Sequence, residues 1–205
     1  MYLYKVHAQQ LLAALGEEIA AELKGKTDFM LSLMDEDDWS MIIKSHALIE
    51  ALVTELIVAK IEEPNMKTII ERLPLSDEQI GKVRIAKDYG LLAPEERTFV
   101  RRFSELRNQL VHRFENVDFN IEKYVFGLNK GQREAWQKAF TWFEHGRQVK
   151  NSWKDATIDN PKTAVWLSAF MFVSLTCVKI GELKGYSSIR VASENTAKEL
   201  LEKLV

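Results

Sequence analysis

An arginine, an asparagine and a histidine stand within six residues of one another, at Arg107, Asn108 and His112. A guanidinium presents a planar fork of donors that matches a phosphate, and an imidazole moves protons near neutral pH. A primary amide can orient either of them. The trio suits phosphodiester chemistry, with charge stabilised on a pentacoordinate phosphorus and general acid or base catalysis beside it. Arg101, Arg102 and Arg113 lie in the same stretch and supply local positive charge for RNA.

The element that must position these groups is a helix over 99–114. Phe99, Phe103, Leu106, Leu110 and Phe114 recur at steps of four, three, four and four, which places them along one side of a 3.6-residue helix. That side is predicted to face the core. Asn108 lies two residues beyond Leu106 and His112 two beyond Leu110, roughly 200° around the helix axis. Arg101, Glu105, Asn108 and His112 thereby form a polar stripe. From the residues alone the favoured reading of this stripe is a solvated face, with Arg107 paired to Glu105 or another carboxylate and His112 exposed near a helix end, where a cation is mildly favoured.

The arrangement resembles the signature of the HEPN superfamily of small helical proteins. There an Arg followed by a polar residue precedes a His by four to six positions near the end of a core helix. Arg107, Asn108 and His112 match those three positions. The run 82–92, ending in Gly90-Leu91, is similar to the short helix and glycine-leucine turn ahead of that helix in many members, and 45–53 is similar to the first core helix. The visible resemblance covers about 40–115, with 161–184 as its closing helix. It implies an all-α, HEPN-like fold and a metal-independent endoribonuclease of toxin type, its site formed where two copies of the motif meet in a homodimer. A nucleotidyltransferase-type antitoxin is the partner this class implies. Length, helical layout and charge balance are also similar to the mannitol operon repressor family, HEPN-like regulators that act through protein contacts without cleaving a bond.

Composition sets the outer bounds. At 205 residues, 46% hydrophobic, the chain suits one domain with a sizeable core. Its formal net charge of −2 provides no bulk basic field, so RNA must be met by a local patch. The one cysteine, Cys177, sits in an apolar stretch and excludes an internal disulfide framework or a cysteine-rich zinc site. The reading is a cytoplasmic protein, since the first residues lack the layout of a signal peptide. Residues 163–178 carry no charge, yet the run is short for a bilayer span and holds Ser168, Ser174 and Thr176. It is predicted as a central core helix rather than a membrane segment.

Punctuation divides the rest into about five to seven helices of a single bundle. A first helix over 6–23 ends at Gly25, and a second over 37–61 stops before Pro64. Ser76 with Gln79 suggests a capping box for a helix to about 89. Ala93-Pro94 opens the motif helix. Asn129 with Gln132 caps an aromatic helix carrying Trp136, Phe140, Trp142, Phe143 and Trp153. Asn160-Pro161 opens the apolar helix to about 184, and Ser193 caps a last one to 204. The core is placed at about 37–185, with 6–23 and 193–204 as additions. Only Val117, Phe119 and Ile121 alternate as a strand would, and the run is too short for one.

Other chemistries find little support. Gly81-Lys82 lacks the remainder of a phosphate loop. His46 and Glu50, four apart, are two ligands without a third and read as a helix surface pair. Trp136, Trp142 and Trp153 are read as core in preference to base-stacking platforms. No cofactor and no metal site are expected. The function predicted is RNA cleavage by attack of a 2′-hydroxyl, with a non-catalytic regulator as the alternative.

Overall fold

The computed structural model describes residues 4–111, 118–144 and 151–203, with no side-chain detail at 151–152. Nine α-helices run through them, and no strand occurs among the described residues. They are α1 (Lys5–Ser32), α2 (Asp38–Ile61), α3 (Lys67–Glu71), α4 (Lys82–Asp88), α5 (Pro94–Val111), α6 (Ile121–Phe126), α7 (Lys130–Phe140), α8 (Asn151–Asp159) and α9 (Pro161–Glu202). The count exceeds the five to seven expected because α3 and α6 are five and six residues long, too short to show a period.

Most helix ends follow from local chemistry. The Asp37 carboxylate accepts from the Ser40 amide at 2.9 Å and caps α2, which stops ahead of Pro64 with Glu62 in the left-handed region. Asn129 and Gln132 form the reciprocal capping box of α7. Asn160 caps α9 and Pro161 takes its first turn. The Ser76 cap does not form. Asp77 instead accepts from the amides of Gln79 and Ile80, the chain turns once more, and α4 begins only at Lys82. A carboxylate one residue on outcompetes the hydroxyl for the free amides. After α4, Gly90 adopts φ +67°, its amide donates to Lys87 and the Leu91 amide donates to Ala86. This pair of hydrogen bonds closes the helix at a glycine-leucine turn, in a conformation that disfavours any residue with a Cβ.

Two expected breaks are absent. α1 runs through Gly25 to Ser32, and α9 continues through Gly185 and Ser193 to Glu202, so no separate helix starts at Ser193. The two lie side by side, with Ile19 and Leu15 of α1 occupying the space that a Cβ on Gly181 or Gly185 would need, at 2.4 Å. The glycines of α9 are points of close helix approach, and packing there outweighs their weak helix propensity. Trp166 of α9 donates to the Met30 carbonyl at 2.7 Å and ties the far end of the pair. α2 lies parallel to α9, since Lys162 meets Asp38 near both starts and Arg190 meets Glu62 further on.

The first half of α9 runs through the core, with Val165, Ala169, Phe172, Val173, Cys177 and Ile180 buried. α9 is long and apolar enough to cross a membrane by length and composition, and half of its most apolar window is buried against the other helices. Phe99, Phe103, Leu106 and Leu110 of α5 are all buried, as their spacing predicts, while Phe114 lies outside the described residues. Phe99 is the hub of an aromatic cluster, its ring 5.5 to 5.8 Å from those of Phe103, Phe140, Trp142 and Phe172. Trp136 and Trp142 are buried with their indole N–H groups donating to backbone carbonyls, which removes them as base-stacking surfaces. The predicted aromatic helix is in fact split, α7 ending at Phe140 and Trp153 falling on α8.

Candidate functional site

α5 carries the motif, and its two ends are fixed differently. At the start, Glu96 is buried and accepts from the Ala93 amide at 2.7 Å, while Lys179 of α9 donates to both carboxylate oxygens at 2.7 and 2.8 Å. Lys179 also reaches the Leu91 carbonyl, and Arg97 donates to that of Leu92. The Gly90 turn and the first turn of α5 are thus clamped to α9. This sets the height and rotation of everything further along the helix.

Arg107 lies half-buried near the other end of α5, and Asn108 beside it is exposed. The guanidinium donates to the Asn108 side-chain oxygen at 3.1 Å. Among the described residues no carboxylate pairs with it. Glu105, the partner a solvated face would have given it, takes Arg102 instead at 2.8 Å. Arg101 pairs with Glu78 at 2.8 Å, both side chains being more than half exposed. His112 and Arg113 lie outside the described residues, so the structure brings together Arg107 and Asn108 of the predicted set, with Arg101 and Arg102 on exposed ion pairs nearby.

Behind Arg107 stands a polar group that the sequence reading set aside. His46 of α2 is buried, its Nε2 3.0 Å from the Ser104 hydroxyl one turn before Arg107, and its ring 6.1 Å from that of Phe103. His46 is therefore no surface partner of Glu50. The Glu50 carboxylate accepts from Lys82, a fully buried amine at the start of α4, at 2.8 Å. Burial first, then the positive charges of Arg107 and Lys82, lower the His46 pKa to about 4 against the opposing pull of Glu50. The imidazole is neutral at pH 7, so it adds no charge that would repel a cation or attract an anion at Arg107.

The signal for His46 was present in the spacing. Ile42, His46, Ile49 and Val53 recur at four, three and four on α2, so the imidazole belongs to the apolar face. Lys82 had no such signal, because only the turn at 76–81 carries it inward.

Around His46, Lys82 pairs with Glu50, whereas no carboxylate among the described residues pairs with the half-buried Arg107 guanidinium. On the α6 side, Tyr124 hydrogen-bonds Gln109, and burial pushes its phenol pKa up. Cys177 is buried, and burial likewise raises its thiol, which keeps it protonated and unreactive. Among the described residues no three metal-ligating side chains come together. No protein-family model matches this chain, and neither a curated protein nor a solved structure is similar to it.

Proposed function

We propose that this protein is a HEPN-type endoribonuclease that cleaves RNA through Arg107, Asn108 and His112. The observation that carries the reading is the Arg107 guanidinium. It is held by an amide oxygen, half-buried, backed by a neutral imidazole, and without a carboxylate among the described residues. A structural arginine in such a place is normally answered by an acid, because a partly desolvated charge is costly alone. A phosphate would answer it here.

In the proposed reaction a 2′-hydroxyl attacks the adjacent phosphorus, His112 taking its proton as general base. The bond to the 5′-oxygen breaks, a proton passes to that oxygen, and the products are a 2′,3′-cyclic phosphate and a 5′-hydroxyl. Arg107 stabilises the charge on the pentacoordinate phosphorus, and Asn108 holds the guanidinium in place. In a C2 homodimer the same patch of each protomer meets its copy, so the second His112 can supply the leaving-group proton.

Incubating the purified protein with RNA in EDTA tests this. Cyclic phosphate ends are expected from the native protein, with DNA left intact. Loss of cleavage on chelation, or cleavage of single-stranded DNA, overturns the mechanism. RNA left intact throughout points to the regulator that acts through protein contacts.

A further inference from the structure

α4 and α5 lie side by side and antiparallel. Their joining turn is at Gly90, while Lys82 at the far end of α4 reaches the part of α2 that also holds Ser104 in the middle of α5. On the outer side of this pair, the turn at 76–78 closes a cleft of about 200 Å³. Arg84 and Lys87 line one wall and Arg97 and Arg101 the other, and Asp77 and Glu78 also line the cleft. Four cations against Asp77, Glu78 and the Asp88 paired to Arg84 leave a local excess of one positive charge in a chain whose formal net charge is −2.

The carboxylates are weak competitors for that charge. Asp77 already accepts two backbone amides, which hold its carboxyl below the usual range. Glu78 on Arg101 and Asp88 on Arg84 form ion pairs whose members are all about half exposed or more. Such pairs contribute little, so a phosphate oxygen can replace either carboxylate at small cost. Arg97 is anchored through its bond to the Leu92 carbonyl, and Lys87 is exposed.

The cleft and the candidate site share one side of α5. Arg97, Arg101 and Asn108 stand at steps of four and seven along α5, a side of the helix about 16 Å long on which Ser104, between them, turns inward to His46. We infer that the α4/α5 cleft binds the phosphate backbone of single-stranded RNA through Arg84, Lys87, Arg97 and Arg101 and delivers the strand to Arg107 and Asn108. The inference rests on the ribonuclease reading for the direction of the strand. Val83 is the one apolar residue lining the cleft, with no aromatic platform for bases, so recognition follows phosphate charge and is independent of sequence.

The test is fluorescence anisotropy of the full chain with a labelled, uncleavable 2′-O-methyl oligoribonucleotide across a salt series. The native protein is expected to bind at low salt. Arg84→Glu/Lys87→Glu should weaken binding at least tenfold and make the plot of log affinity against log salt shallower by about 1.4, the loss of two phosphate contacts at about 0.7 each for a single strand. The neutral pair Arg84→Gln/Lys87→Gln should shift both in the same direction by less. Lys60→Glu, at the remote end of α2, should leave both unchanged. No binding by the native protein, or charge-reversed variants with unaltered affinity and slope, overturns the cleft. Cleft-dependent binding of RNA that is never cut supports the cleft while removing the ribonuclease reading. Normal cleavage with an unchanged KM in the charge-reversed variant does the opposite.

Discussion

The two ends of α5 hold buried or half-buried charge in opposite ways. Glu96 is answered three times, by the Ala93 amide and twice by Lys179, and everything around it serves to clamp the helix. Arg107, eleven residues on, has an amide oxygen for company and a neutral imidazole behind it. Satisfied charge inside a fold does structural work, because desolvation has been offset in place. Charge left without a counter-ion among the described residues is open to a ligand, and on the proposed reading that contrast marks the functional end of this helix.

The contrast breaks most visibly in activity. Arg107→Ala and His112→Ala are each expected to lower RNA cleavage about a thousandfold, ~4 kcal/mol in transition-state terms, while shifting folding stability by less than about 1 kcal/mol. Melting curves beside an RNA assay check both halves. If His112→Ala unfolds the protein, the imidazole is core and the proposed role is wrong.

Leu110→Ala should do the reverse. It removes a fully packed side chain from the apolar side of the same helix and is expected to cost about 2 to 5 kcal/mol through lost burial and a residual cavity. Chemical denaturation measures it, and a cost below 1 kcal/mol would mean that the helix is rotated from the position described.

His46 sharpens the comparison through pH. Its pKa falls from 6.5 unfolded to about 4 folded, so the unfolded chain binds more protons between those values. Stability from this group is therefore complete above pH 6.5 and declines as pH falls toward 4, by up to about 3 kcal/mol. The readout is the difference between native protein and His46→Gln, which isolates this imidazole from the rest of the chain. The variant should show the shallower decline, and parallel curves would place the imidazole in solvent.

Glu96→Gln is the smallest of these effects, about 1.5 to 3 kcal/mol of stability, since charge-assisted bonds to Lys179 become ordinary ones. Cleavage per folded molecule should persist. Strong loss of activity with unchanged stability would move the functional end of α5 to its start.

Legibility in the sequence was uneven for physical reasons. The all-helical class, the apolar stripe from Phe99 to Leu110, the capping box at Asn129 and the Gly90 turn were readable, because each depends on residues within one or two turns. Ser76 against Asp77 as a cap, and Gly185 and Ser193 as helix ends, were not. In the first case two local acceptors compete for the same amides, and in the second α1 supplies packing from more than 150 residues away.

The candidate site divides along the same line. Asn108 and the exposed face it occupies were determined by spacing on one helix, where a 3.6-residue period fixes which side chains share a side, with Arg107 half-buried beside it. Their surroundings were not. That Glu105 turns to Arg102, that His46 comes from 58 positions away to meet Ser104, and that Lys82 is drawn inward to Glu50 are consequences of how α2, α4 and α5 pack. A charge's partner is a question of distance in space, and only the tertiary structure decides which of the chain's many acids and bases come within reach.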